Sequence, residues 1–285
     1  MSIVITGATG QLGRKVVEQL LARGVEPSTI TAGGRNPQAL QELAATGVRT
    51  AQIDYSDPDT LEAAFSGAEQ VLLISGSEVG QRVPQHKAVI DAARAVSASV
   101  VYTSAPQAST SALILAPEHK ATEEMLAASG LSHTVLRNSW YTENYDDAIR
   151  QAAAHGSILT STGSGKVASA TRTDYAEAAA AVLISANYAG QVLELAGDEP
   201  WDFDELAATV SDVAGRGVTV NQVTTAEHVE ALKGFGLEEA TAEFVAALDA
   251  NIAEGLLAES DGTLSRIIGR PTTPLNQYVT QLLAT

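Results

Sequence analysis

Ile3-Val4-Ile5-Thr6-Gly7-Ala8-Thr9-Gly10-Gln11-Leu12-Gly13 decides the fold of this chain. A short apolar run that reads as a buried strand is followed at once by a glycine-spaced turn, and residues 14–21 continue with helical periodicity. Strand, glycine-rich turn and helix N-terminus, in that order, form the context in which a dinucleotide is held. Gly7 permits the tight turn, Gly10 lets backbone approach a pyrophosphate, and Gly13 lets the helix pack closely on the strand. The free N–H groups of the helix end then face the phosphates. Thr9, Gln11 and Leu12 lie within the same turn and are counted with the three glycines as cofactor-binding candidates.

The rest of the first half repeats this β-α rhythm. Residues 29–32, 48–53, 70–75, 99–103 and 134–137 read as short apolar strands, and 37–45, 58–65, 84–96 and 117–128 as amphipathic helices. Prolines stand at or near the first turn of these helices, where a missing N–H costs little. Asp57 has the position of an N-cap, and Gly47, Gly67 and Gly130 follow helix ends as left-handed C-caps do. Repeated β-α units predict an α/β fold: a Rossmann-type doubly wound parallel sheet with its ligand at the carboxyl ends of the strands.

After about residue 147 the rhythm changes. Residues 155–157 and 162–165 are turn-rich, and 174–185 is an alanine-rich helix expected to return to the main sheet. Residues 192–196 and 218–223 are expected to form a small strand pair, with helices over 204–214, 226–233, 237–253 and 275–283. The expected organisation is therefore a cofactor-binding domain over 1–147 and a smaller, mostly helical C-terminal lobe over 148–285 that covers the substrate cleft.

Composition narrows the class. The chain has 285 residues, 45% of them hydrophobic, enough for one large domain or a domain with a smaller partner. Its net charge of −17, with no lysine- or arginine-rich run, argues against nucleic acid and an anionic membrane surface as partners. It contains no cysteine, which removes disulfides, thiol nucleophiles and cysteine metal sites. No signal-peptide pattern or bilayer-spanning apolar run is read, so a cytoplasmic location is expected. The five histidines show no metal-ligand spacing with the acidic residues, and Gly163-Ser164-Gly165 lacks the context of a nucleophile elbow.

The second strand identifies the cofactor. A site that prefers NADH usually carries a carboxylate at the end of that strand, to hold the ribose 2′-hydroxyl. Here Gly33-Gly34-Arg35-Asn36-Pro37 follows, and Arg35 is placed to grip a 2′-phosphate through charge-assisted hydrogen bonds, the alternative being a solvated arginine in a turn. NADPH is therefore expected. Asp54, after the third strand, is read either as an acceptor for the adenine amino group or as a turn aspartate. Ser75, Gly76 and Ser77 should pass near the ribose and nicotinamide. Thr103 and Ser104 end the fifth strand at the same edge and are read either as cofactor contacts or as structural turn residues, and Asn138 either holds the nicotinamide carboxamide or orients its loop.

The catalytic pattern is incomplete. A short-chain dehydrogenase offers Tyr-x-x-x-Lys on the helix after the fifth strand, but here His119 stands where the tyrosine would be and Glu123 where the lysine would be. His119 is read either as a proton donor or as a helix-surface histidine. An acceptor that needs little acid catalysis fits this better than an ordinary ketone. After the sixth strand, Trp140, Tyr141 and Tyr145 cluster in a chain with only 5% aromatic residues. They form either a slot for a flat acceptor or a packing seam between lobes.

Together these residues resemble the NmrA-like group of atypical short-chain dehydrogenases, and within it the bacterial type 2 NAD(P)H:quinone oxidoreductases. The likeness runs nearly end to end. It is carried by the glycine turn, Arg35-Asn36-Pro37, 73–82, Tyr102-Thr103-Ser104, Glu118-His119, 137–145, 168–172 and 193–198, with 75–82 and 137–145 the most specific stretches. The resemblance implies NADPH-dependent, flavin-independent two-electron reduction of a quinone in a cleft between the lobes. Protons would come from solvent, Tyr141 or His119. The alternatives are the same cofactor with a triphenylmethane dye, carbonyl or alkene acceptor, or a non-catalytic NADPH-binding redox sensor. A homodimer is the plausible assembly. Gly33-Gly34 and residues 105–108 depart from the group's usual pattern.

Overall fold

A computed structural model describes residues 2–284. Its centre is a seven-stranded, all-parallel sheet in the order β3 (Arg49–Gln52), β2 (Ile30–Gly34), β1 (Ile3–Ile5), β4 (Gln70–Leu73), β5 (Ser99–Ser104), β6 (His133–Asn138), β8 (Val192–Leu195). The chain enters through β1 (Ile3–Ile5), α1 (Gln11–Ala22), β2 (Ile30–Gly34), α2 (Pro37–Ala44), β3 (Arg49–Gln52), α3 (Pro58–Phe65), β4 (Gln70–Leu73), α4 (Arg82–Ala95), β5 (Ser99–Ser104), α5 (Ala116–Ala128) and β6 (His133–Asn138). Strand order reverses between β1 and β4, where Ile5 lies opposite both Ala32 and Leu72. That reversal opens a crevice at the carboxyl ends of these strands.

Strands buried on both faces must be apolar throughout. β1 meets this condition, and Val71 to Leu73 of β4 are fully buried. One face of the sheet packs Val16, Val17 and Leu20 of α1 with the small side chains Ala176, Ala179 and Ala180 of a later helix. The other face packs Leu61, Phe65, Val89, Ile90 and Leu126 from α3, α4 and α5. Local signals agree with this packing. Asp57 caps α3 by accepting from Asp59 N, Asn36 caps α2, and Gly47, Gly67 and Gly130 all adopt positive φ.

Beyond β6 the chain weaves. It leaves through α6 (Asp146–His155) and β7 (Ser157–Thr160), then returns through α7 (Arg172–Leu183) and β8 (Val192–Leu195). It leaves again through α8 (Phe203–Ala214), β9 (Thr219–Gln222), α9 (Thr225–Gly234) and α10 (Glu239–Ala253). α11 (Thr263–Ile268) lies against the sheet, and α12 (Leu275–Leu283) packs on α8. Helix α7 thus packs against the sheet, as its alanine-rich face suggests. Other expectations fail. The strand over 192–196 does not pair with 218–223: β8 joins the main sheet beside β6, with Asn138 opposite Leu195, and β9 pairs with β7. Side-chain pattern alone does not say which edge a short strand extends. α6, β7 and α11 have no counterpart in the sequence reading. The outer lobe has its own core around Ile149, Trp201, Phe203, Leu206, Ile252 and Val279.

β2 also runs two residues further than expected, through Gly33 and Gly34. A Cβ at Gly33 would stand 2.2 Å from Ile53 Cδ1, and one at Gly34 would stand 2.3 Å from Thr9 Oγ1. The two glycines let the glycine turn and β3 close on the end of β2.

Candidate active site

The crevice at the β1/β4 switch is a cleft of about 240 Å³. Of the expected cofactor residues, Gly7, Thr9, Gly10, Gln11, Leu12, Gly13, Arg35, Asp54, Ser75, Gly76 and Ser77 line it. Thr103, Ser104 and Asn138 do not. Gly34, Ile53, Tyr55, Ile74, Glu78 and Gln85 line it without having been expected as cofactor residues.

The glycine turn is built tightly. Gly7 has φ +61°, Gly10 N donates to Gly7 O at 2.9 Å, and Ala8 N donates to Gly33 O at 2.7 Å. A Cβ on Gly13 would come within 2.4 Å of Gly7 O and 2.7 Å of Ala8 Cα, both backbone, so no side chain fits there. α1 begins at Gln11, and the first N–H groups of a helix lack partners within it.

The opposite wall is the 75–78 loop, and buried polar groups hold it. Gly76 N donates to His86 Nε2 at 2.9 Å, and Gly76 O accepts from Arg82 Nε at 2.6 Å. The first bond places the His86 ring proton on Nδ1, 2.9 Å from Thr122 Oγ1. Glu118 accepts from the backbone N–H of Gly80 and Arg82, each at 3.1 Å, and from the Arg82 guanidinium. Ser75 N donates to Thr103 Oγ1 at 2.9 Å, so Thr103 positions the loop from behind the cleft. Tyr55 Oη donates to Ile74 O at 2.7 Å. The sequence signal for this support is on α4: its buried face opens with Arg82, Gln85 and His86, polar residues at the spacing where apolar ones belong.

At the outer end of the cleft, Arg35 Nη1 lies 2.7 Å from Glu78 Oε1, and Glu78 Oε2 accepts from Gln85 Nε2 at 3.0 Å. The pairing raises the Arg35 pKa and lowers that of Glu78. Asp54 Oδ1 accepts from Ser56 N at 2.9 Å, so Asp54 forms a turn and also faces the cleft.

The dyad positions hold other chemistry. His119 is buried, with Nδ1 2.7 Å from Tyr102 Oη, and burial pushes its pKa down to about 3. Its imidazole is neutral at neutral pH. Glu123 accepts from Arg137 Nε at 2.9 Å and Nη2 at 2.6 Å and from Ser104 Oγ at 2.6 Å, while Arg137 also pairs with Glu194 at 2.8 Å. This network ties together the carboxyl ends of β5, β6 and β8.

The aromatic cluster divides between two environments. Tyr141 stacks edge-on against Tyr175 at 5.2 Å, with the Arg172 guanidinium carbon 4.7 Å from its ring centre. Burial raises its pKa, so the hydroxyl stays protonated. Tyr145 packs against Trp201 and Phe203, and Trp140 joins the same outer core. Asn138 Nδ2 reaches Tyr141 Oη at 3.4 Å, and Asn138 Oδ1 is buried without a partner. A second cavity, of about 450 Å³, lies beside the ends of β6 and β8, where Pro106, Ser139, Leu195, Pro200 and Leu257 line it. Among the described residues, no group of three or more His, Asp or Glu side chains is arranged to hold a metal ion. No helix among the described residues is long and apolar enough to cross a membrane.

These features fit a dinucleotide: a glycine cradle that excludes side chains, a guanidinium at its rim, and an orphaned buried amide oxygen at the end of β6. Comparison with known proteins agrees. The family model described as NAD(P)H-binding matches residues 7–186. The chain is 47% identical to Quinone oxidoreductase 2 of Escherichia coli over 98% of both chains. It is 30% identical to an NmrA-like family domain-containing oxidoreductase of Aspergillus flavus, over 99% of this chain and 95% of that one. A crystal structure of the E. coli NADPH-dependent quinone oxidoreductase complexed with NADPH aligns over 99% of both chains with a TM-score of 0.94. The Citrobacter triphenylmethane reductase, 36% identical and complexed with NADP(H), also aligns with a TM-score of 0.94, over 99% of this chain and all of that one.

Proposed function

Because the chain belongs to the NAD(P)H-binding family, among its NmrA-like oxidoreductases, we propose that it is an NADPH-dependent quinone oxidoreductase that works without flavin. The observation that carries this reading is the end-to-end 47% identity to a quinone oxidoreductase, with the residues of the glycine cleft in place.

When bound, NADPH supplies a hydride from its nicotinamide ring. The chain's own residues bind and orient. The glycine turn and the α1 N-terminus take the pyrophosphate, Arg35 takes the 2′-phosphate, and Asp54 faces the adenine. Ser75, Gly76 and Ser77 flank the riboses, with Thr103 and Ser104 shaping the strand ends behind them. Asn138 Oδ1 accepts the nicotinamide carboxamide. The acceptor lies on the β6/β8 side, in the cavity beside Ser139 and Leu195, with the 140–145 segment following directly after Ser139. Tyr141 is the side chain we assign to protonating a reduced quinone oxygen, because its hydroxyl is protonated and adjoins Asn138, and the phenolate left behind takes its proton back from solvent. His119 is held in a structural bond to Tyr102. Proximity and orientation can supply much of the barrier reduction in such a site. The small-molecule acceptor is the expected partner and the cytoplasm the expected location.

The test is NADPH oxidation by the purified, flavin-free protein against a benzoquinone, a naphthoquinone, a triphenylmethane dye and a ketone. Fast turnover with the quinones and slow turnover with the ketone is expected. Turnover confined to the dye favours the second reading, which rests on the likeness to the triphenylmethane reductase. Tight NADPH binding without turnover on any acceptor overturns both.

A further inference from the structure

Arg35 follows β2 and Glu78 lies between β4 and α4, so their 2.7 Å ion pair joins the two walls of the cleft at its rim. Both side chains are about half exposed. Gln85 holds the other carboxylate oxygen of Glu78 from α4, so the carboxylate is anchored to the wall opposite Arg35. The charge balance is unusual for a cleft that takes a polyanion. Its described lining carries Arg35 as the cation against Asp54 and Glu78 as anions, in a chain with a net charge of −17. A carboxylate and a phosphate seek the same guanidinium geometry.

Resting on the reading of Arg35 as the 2′-phosphate ligand, we infer that Glu78 sets cofactor selectivity by competing with the 2′-phosphate for Arg35. NADPH must exchange Glu78 for its phosphate to gain the Arg35 contact, which weakens its binding and speeds its release. NADH lacks the 2′-phosphate and leaves the ion pair closed across the rim. The selectivity of the site is then the difference between two pairings of one guanidinium, and the Glu78 pairing holds it below what Arg35 alone would give.

The experiment measures dissociation constants for NADPH, NADP⁺ and NADH by calorimetry on the wild type, Glu78→Gln, Arg35→Ala and the double variant. Glu78→Gln keeps the shape and the Gln85 contact distance while removing the charge. It should tighten NADPH and NADP⁺ by about threefold to tenfold and change NADH by less than about twofold. In the Arg35→Ala background the same substitution should have no effect on NADPH. If Glu78→Gln leaves NADPH affinity unchanged or weakens it, or tightens it equally without Arg35, the competition is wrong. If Arg35→Ala weakens NADPH and NADH alike, the phosphate reading of Arg35 itself falls. Selective loss in Arg35→Ala with a silent Glu78→Gln removes only the role of Glu78.

Discussion

His86 accepts the backbone N–H of Gly76 through Nε2 at 2.9 Å, and this bond fixes the loop that forms one wall of the cleft. The bond requires a neutral ring with its proton on Nδ1, and burial supplies the neutrality by pushing the His86 pKa down to about 4. His86 is a positioning residue. It acts on the cofactor only through Gly76.

Replacing it with leucine keeps most of the volume and removes the acceptor. His86→Leu should raise the KM for NADPH about tenfold, the equivalent of ~1.4 kcal/mol, with a smaller change in kcat. Steady-state kinetics at saturating quinone separates the two. An equal fall in kcat with KM unchanged would remove the positioning role.

Acid should destabilise the fold through His86 and His119 together. Folding lowers both pKa values, to about 4 and about 3, so below the ordinary histidine value the unfolded chain binds more protons than the folded one. The stabilisation is complete above about pH 6.5 and is lost as pH falls from there towards 4 and 3, at about 1.4 kcal/mol per pH unit for each group. Urea midpoints measured from pH 7 to 4.5 should fall, and His119→Gln should flatten the slope.

Gly10 and Gly13 should behave differently when changed to alanine. A Cβ at Gly13 meets Gly7 O and Ala8 Cα at 2.4 and 2.7 Å, while one at Gly10 has only Gly7 O at 3.2 Å. Gly13→Ala should destabilise the fold by about 2 kcal/mol or more. Gly10→Ala should fold with a melting temperature near the wild type and lose NADPH affinity. Thermal melts with and without NADPH distinguish the two.

Glu123→Ala should lower stability by about 2 kcal/mol, roughly 4–8 °C in Tm. It strands Arg137, which is largely buried, and removes the acceptor of Ser104, although Glu194 keeps one partner in place. Calorimetry checks this, and Glu123→Gln should recover part of the loss.

Tyr141→Phe should reduce quinone turnover about tenfold without changing the Kd for NADPH. Unchanged turnover would make solvent the proton source.

The first half of the fold was legible because its physics is local. Glycines with forced geometry, prolines at N1, an aspartate N-cap and doubly buried strands each act within one β-α unit. The glycine turn, Arg35, Asp54 and 75–77 were legible as the lining of one cleft for the same reason, since each follows a strand directly. What escaped depends on partners distant in sequence. β8 reads as any short apolar strand, and only packing beside β6 places it in the main sheet. The support of Gly76 comes from α4 and α5, and its trace was the polar residues on the buried face of α4. The aromatic segment was legible as a cluster. Its division between Tyr175 on one side and Trp201 with Phe203 on the other depends on α7 and α8.

The weaving of the chain after β6 bears on how the molecule comes apart. Because α7, β8 and α11 return to the sheet between excursions into the outer lobe, a cut near residue 147 separates no self-contained half. A nicked protein should stay together and melt in one transition rather than release a fragment. Any closure of the outer lobe must also be a small rotation about several parallel tethers, since a single swinging joint is not available to it.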